Sequence, residues 1–204
     1  MPEVLAYTQE TPDAVLVERA RSGDTARDRA DAFAALVRRY ERPLYVYAKR
    51  MLGSADEAED VFQETFLRVH LNLERFRQGA PFRPWLYQIA TNLCRDRLRW
   101  WRRRPQVSLY APRGGDPGAG TVADAVAAPG AGPDQRAREA ELSARLEKAV
   151  AQLPVKQRAV FLMARYEGLP YGEIASALGI PLGTVKSRMN TAVQRLLSAV
   201  EETD

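Results

Sequence analysis

Histidine and cysteine are nearly missing from this chain: His70 and Cys94 are the sole examples in 204 residues. One thiol excludes an intrachain disulfide and a thiolate metal cage, and one imidazole excludes a histidine-rich metal centre. No metal or other cofactor is therefore expected. Long apolar runs are also missing, since no stretch approaches the roughly 20 residues that span a bilayer. The N-terminus carries Glu3, Glu10 and Asp13 where an export signal has a basic segment followed by an apolar run. Neither membrane insertion nor export is expected, and a reducing cytoplasmic setting fits. Sustained strand alternation is absent as well.

What is present is helical periodicity interrupted by punctuation. From Ala32 to Arg104 helical spacing breaks at Gly53-Ser54 and at Gln78-Gly79-Ala80-Pro81. From Asp134 to Val200 it breaks at Leu153-Pro154, Gly168-Leu169-Pro170 and Gly179-Ile180-Pro181. Between them, Pro105 to Pro133 is Gly, Ala and Pro with only Arg113, Asp116 and Asp124 charged, too poor in apolar surface to fold. The fold class expected is all-α: two small helical domains joined by a flexible Gly/Ala/Pro-rich linker, the C-terminal one a helix-turn-helix. The boundaries fall at 1–20 for a loosely attached leader, 21–104 for the first domain, 105–135 for the linker and 136–204 for the second domain. Residues Thr25 to Asp31 look like a small insertion before the first core helix.

The 30 Lys and Arg against 26 Asp and Glu leave a net charge of only +4, but the cations are mostly arginine and they cluster. Arginine suits planar, bidentate contacts with phosphates and bases. In the first domain Phe33, Leu36, Val37, Tyr40, Leu44, Tyr47 and Met51 recur at helical steps, with a kink or crossing expected at Pro43. Over Asp56 to Leu73, Ala58, Val61, Phe62, Thr65, Phe66 and Val69 share one face. The opposite face holds Asp56, Asp60, Gln63, Glu64 and, among them, Leu67. An apolar residue ringed by acids fits a protein-docking patch, and equally a solvated face with one stray leucine. A rival chemical reading makes Asp56, Asp60 and Glu64 cation ligands or paired catalytic carboxylates.

The helix expected over Pro84 to Trp101 places Trp85, Leu86, Ile89, Leu93, Arg97 and Trp100 on or beside one face. Gln88, Thr91, Asn92, Arg95 and Arg99 take the other. Amide, hydroxyl and guanidinium groups in line are the chemistry that meets base edges and phosphates, and Arg102-Arg103-Arg104 follows directly. Upstream, Phe76-Arg77-Gln78-Gly79-Ala80-Pro81-Phe82-Arg83 interleaves aromatics with arginines. As a loop it can stack unpaired bases, or Phe76 and Phe82 can pin it to the core. In the second domain Ile174, Ala175 and Leu178, a turn at Gly179, and then Val185, Met189, Ala192 and Leu196 outline a helix-turn-helix. Its second helix exposes Thr184, Ser187, Arg188, Thr191, Gln194 and Arg195, with Lys186 and Asn190 at the edge, a pattern suited to the major groove.

With these motifs in order, the span from about Phe33 to Leu197 resembles an extracytoplasmic-function (ECF) sigma factor of the two-domain kind. The residues that carry the resemblance are Ala58-Glu-Asp-Val-Phe-Gln-Glu-Thr-Phe-Leu-Arg-Val, Pro81-Phe-Arg-Pro-Trp-Leu-Tyr-Gln-Ile-Ala-Thr-Asn-Leu-Cys-Arg-Asp, and Leu153-Pro154 leading to Gly183-Thr-Val-Lys-Ser-Arg. The resemblance implies a transcription initiation factor with no catalysis of its own, which binds core RNA polymerase and directs it to promoter DNA. It implies docking of Asp60, Gln63, Glu64 and neighbouring Leu67 on the beta-prime coiled coil. It assigns reading and melting of the -10 element to the first domain, through Phe76, Arg77, Phe82, Arg83, Gln88, Asn92, Arg95 and Arg99. The second domain takes the -35 element, through Thr184, Lys186, Ser187, Arg188, Asn190, Thr191 and Arg195, and also the beta flap. The linker is expected to run toward the RNA exit path, and an anti-sigma factor is an expected partner. A stand-alone helix-turn-helix regulator and a metal-dependent hydrolase are the other function classes that parts of the sequence suggest.

Overall fold

The computed structural model describes residues 7–8, 10–103 and 133–201. Its helices are α1 (Asp13–Ser22), α2 (Ala26–Leu52), α3 (Ala55–Asn72), α4 (Phe82–Arg103), α5 (Pro133–Gln152), α6 (Val155–Arg165), α7 (Tyr171–Leu178) and α8 (Leu182–Glu201), with no strand among the described residues. The expected breaks at Gly53-Ser54, Leu153-Pro154 and the two Gly-containing turns all separate consecutive helices. Most of the stretch expected as a flexible linker, 105–132, lies outside the described residues. Pro133, the next residue, opens α5, a position where its missing N–H costs nothing.

Local chemistry sets the helix ends. Thr25 Oγ1 accepts a hydrogen bond from Asp28 N at 3.0 Å and starts α2. Gly53, in the left-handed region with φ 75°, closes it by donating its N–H to Lys49 O at 2.7 Å. Ser54 then caps α3, whose first turn carries Asp56 and Glu57 against the helix dipole. Two expectations are corrected here. Residues 13–20 of the supposed loose leader lie in α1, which packs on α2, buries Leu16 and Val17, and is tied down by Asp13 accepting from Arg39 and from the Tyr40 hydroxyl. Residues Ala26 to Asp31 are not an insertion before the first core helix, because α2 begins there and runs through Pro43 to Leu52.

α2, α3 and α4 enclose the first core, with Leu36, Leu44, Met51, Val61, Val69 and Leu86 fully buried. Thr91 belongs to that core and not to the polar face of α4. Its hydroxyl donates to Tyr87 O at 2.6 Å and lies 2.7 Å from the Tyr47 hydroxyl, so all its polar capacity is used inside. A second core gathers Val160, Leu162, Met163, Ile174, Val185 and Ala192 from α6, α7 and α8.

The two sets of helices share a continuous apolar cluster and also meet through polar contacts. Glu167, in the turn after α6, accepts from the Tyr87 hydroxyl on α4, and its carboxylate lies 3.5 Å from Arg83 Nη2, which also donates to the Glu167 carbonyl. Arg158 donates to Met51 O at 2.7 Å, and the Arg50 guanidinium stacks 3.9 Å over the Tyr166 ring. Burial pushes the Glu167 carboxyl above its usual range, although Tyr87 and Arg83 act in the opposite direction.

Glu167→Ala removes the acceptor of a buried hydroxyl and is expected to cost about 1–3 kcal/mol, measured by urea unfolding. Glu167→Gln isolates the charge. Because the folded-state pKa is raised, folding takes up a proton, and wild-type stability is lost as pH rises from the usual 4.5 through the raised value. The stability of Glu167→Gln relative to wild type should therefore increase from about pH 4 to about pH 7; a difference that does not change with pH contradicts this account of the contact.

Candidate nucleic-acid and polymerase interfaces

On α3 the buried stripe is Ala58, Val61, Thr65, Phe66 and Val69, with Phe62 half-buried, and the opposite side meets solvent. Asp60, Gln63 and Leu67 are exposed there, Leu67 by 53%, and Glu64 is half-buried. Leu71, one turn beyond Leu67, is 69% exposed and lengthens the apolar strip. It was not singled out from the sequence, although its i+4 spacing from Leu67 was the available signal. The acids are not arranged for a cation: Asp60 lies 3.2 Å from Arg97, Glu64 binds Arg68 at 2.8 Å, and Glu57 also holds Arg97. Burial alone would lower the Arg97 pKa, but the carboxylates of Glu57 and Asp60 more than offset that and hold it above its ordinary value. Among the described residues no three His, Cys, Asp or Glu side chains come together as a metal site requires.

The segment from Phe76 to Arg83 divides in a way the residue pattern did not show. Phe76 and Phe82 are both buried, their rings at 6.2 Å in an edge-on pair, and Trp85 stacks on Phe76 at 4.5 Å. The alternative in which these rings pin the segment to the core thus describes their position. Phe82 and Arg83 already belong to the first turn of α4, and Arg83 is engaged with Glu167. Arg77 remains exposed at the turn, where Gly79 takes φ 75°.

Beside this aromatic cluster is a cavity of about 530 Å³ walled by Phe76, Arg77, Trp85, Gln88 and Asn92. Arg75 and Asn72, which sequence reasoning passed over, complete its edge, and Ser176 and Ala177 of α7 close the far side. A stacking surface next to amide and guanidinium donors is the chemistry that holds an unpaired base. Further along α4, Asn92 and Arg99 are exposed and Arg95 is half-buried, opposite the buried Leu93 and Cys94. Burial pushes the Cys94 thiol up to about 12, so it is inert inside the core.

In the second core α7 and α8 form the helix-turn-helix. Gly179 sits in the left-handed region at φ 61°, and its N–H caps α7 on Ala175 and Ser176 carbonyls. Ile174, Ala177, Val185, Ala192 and Leu196 are buried, which turns Lys186, Ser187, Asn190 and Arg195 outward, with Thr184, Arg188 and Thr191 half-buried at the edges. The Thr191 hydroxyl bonds back to Ser187 O at 3.0 Å. The structure thus brings Phe76, Arg77, Gln88 and Asn92 together at one cavity, and Arg95 and Arg99 toward Arg188 of α8 at another.

Comparison with known proteins bears on the whole arrangement. Residues 36–104 match the model of Sigma-70 region 2, and residues 143–196 that of Sigma-70, region 4. The chain is 36% identical over 180 residues to the ECF RNA polymerase sigma factor SigW of Bacillus subtilis, an alignment covering 88% of this chain and 92% of that protein. Among solved structures it is similar to CnrH in complex with the cytosolic domain of CnrY, with TM-score 0.65 and 26% identity over 94% of this chain and 98% of CnrH. The fold is shared too with the sigma factor RpoE bound to the anti-sigma factor NepR from Bartonella quintana, with TM-score 0.63, 22% identity, and 83% and 96% of the two chains covered. With both conserved regions matched in order and most of a relative's length aligned, the chain belongs to the ECF family of RNA polymerase sigma factors.

Proposed function

We propose that this chain binds core RNA polymerase in the cytoplasm and directs it to promoters, reading the -10 and -35 elements without catalysis of its own. The observation that carries the proposal is the match of sigma regions 2 and 4, in that order, to two sets of helices whose outer faces carry exposed amide, hydroxyl and guanidinium groups. Asp60, Gln63, Glu64 and Leu67 are the residues we assign to the beta-prime coiled coil. The exposure of Asp60, Gln63 and Leu67 supports the role, with Glu64 half-buried beside them, and the adjoining Leu71 extends the strip.

For the -10 element we assign Arg77, Gln88, Asn92, Arg95 and Arg99 to direct contact, with Phe76 and Phe82 shaping the aromatic wall and Arg83 free to act once released from Glu167. Capture of an unpaired base beside Trp85 offsets an unstacking cost of a few kcal/mol. Opening therefore needs positioning and no bond chemistry. Thr184, Lys186, Ser187, Arg188, Asn190, Thr191 and Arg195 are assigned to the -35 element, and the same half to the beta flap. Two weak readers on one chain act as a bivalent reader when polymerase fixes their separation. An anti-sigma factor is the expected regulator, supported by the solved relatives captured with bound partners. No described helix is long and apolar enough to cross a membrane.

Reversing charge at Asp60 or Glu64 should weaken core-polymerase binding by more than about 1 kcal/mol. The fold should change by no more than about 0.5 kcal/mol, because both are surface positions. Unchanged retention on core polymerase refutes the docking assignment. Transcription in vitro separates the two readers. Ser187→Ala and Arg188→Ala should alter the use of -35 sequences, whereas Asn92→Ala should impair opening and be rescued on a pre-melted template; failure of that rescue refutes the α4 assignment. Sequence-specific binding by the isolated chain, with no effect on polymerase, would instead favour a stand-alone regulator.

A further inference from the structure

A second cavity, of about 440 Å³, lies between α4, α6 and α8. Its walls carry five cations: Arg95, Arg99 and Arg102 from α4, Lys156 from the first turn of α6, and Arg188 from α8. No Asp or Glu among the described residues lines it. Arg99 is paired with Asp96 at 2.6 Å, but the other four form no ion pair among the described residues. Charges of one sign held around a confined space repel each other, and a bound counter-charge relieves that cost.

One further feature points to an anion. The N-terminus of the 11-residue helix α6 forms part of the wall and follows Pro154, which has no side-chain cap to offer, so the positive end of the dipole faces the same space. Behind the wall, Arg158 is pushed below its ordinary value by burial and next by the Arg102 charge, in keeping with an uncompensated positive field. The volume suits a nucleotide-sized molecule.

We infer that this cavity binds a small polyphosphate anion, of the class of nucleoside di- and triphosphates, which bridges the two halves of the chain and holds them together. Arginine forks on α4 and α8 grip the phosphates, and Lys156 supplies a point charge beside the helix N-terminus. Because Arg95, Arg99 and Arg188 are also assigned to promoter DNA, bound anion and promoter exclude each other. That consequence rests on the proposed function, whereas the binding itself does not.

Calorimetric titration of the full chain with inorganic tripolyphosphate and, separately, with ATP tests the site without DNA or polymerase, at about 0.15 M ionic strength. The expected result is saturable one-to-one binding that raises the unfolding temperature. The double variant Arg102→Ala/Lys156→Ala, at two exposed positions outside the residues assigned to the -10 and -35 elements, should weaken binding about tenfold or more. Arg27→Ala, which lines no part of the cavity and is 79% exposed, should leave it unchanged. Equal affinity for the two ligands assigns recognition to the phosphates alone, and tighter ATP binding adds a contact to the nucleoside. Absence of saturable binding by both, a loss as large in Arg27→Ala, or binding of a polyglutamate peptide only overturns the inference.

Discussion

A carboxylate buried between two helical cores governs how this chain is put together. Glu167 is the one charged side chain in the buried class among the described residues, and it is 6% exposed. Burying an unpaired carboxylate is costly, so its position depends on the Tyr87 hydroxyl and the Arg83 guanidinium, both on α4. The Tyr87 and Arg83 contacts fix the turn after α6 against α4, although they do not fully offset the burial of the ionised carboxylate, and α7 follows across the aromatic cavity. The other contacts between the halves, Arg158 on Met51 O and Arg50 over Tyr166, are also arginines placed on polar or aromatic partners. These polar contacts lie over an apolar cluster that is continuous from one half to the other, so parting the halves exposes apolar surface as well as these partners.

The arrangement bears directly on function. Helix α7 closes the cavity that we assign to an unpaired base, and Arg188 of the helix-turn-helix faces Arg95 and Arg99 across a shared space. In this state the two proposed DNA-reading faces meet at Arg188 and at the far side of the aromatic cavity, while Arg77, Asn92, Lys186, Ser187 and Asn190 stay exposed. The acidic strip on α3 lies away from both meeting points, with Asp60, Gln63 and Leu67 exposed. Docking to polymerase is thus open to the closed chain, and full use of the two cavities by promoter DNA calls for the halves to part. A protein whose readers act only at a separation fixed by its partner gains specificity from that dependence.

Much of this was legible in the residue pattern wherever one short segment carries its own signal. The three- and four-residue spacing of Val61, Thr65, Phe66 and Val69 marked the buried face of α3, and Gly179 marked the helix-turn-helix because only a residue tolerant of φ 61° closes that turn cheaply. What was not legible depends on distant partners. Thr91 appears polar on a helical projection, yet it is buried because Tyr47, 44 residues away, supplies a second hydroxyl. That Phe76 and Phe82 could pin their segment to the core was one of the two readings of the pattern and describes their position, but their interlocking with Trp85 was not legible. Asp13 turns a supposed leader into a packed helix through Arg39 and Tyr40, and Glu167 gave no local sign that it would bind Tyr87, 80 residues before it.

The central claim is that the free chain is closed through Glu167 and opens when polymerase engages it. Energy transfer between dyes on cysteines introduced at Glu41 and Ser198 measures the separation of the halves directly. Both positions are exposed and neither is assigned a role, while Cys94 stays unlabelled because its thiol is buried and weakly acidic. The account predicts a longer distance on addition of core polymerase, maintained on promoter DNA. An unchanged distance in a complex that transcribes from its promoter would contradict it.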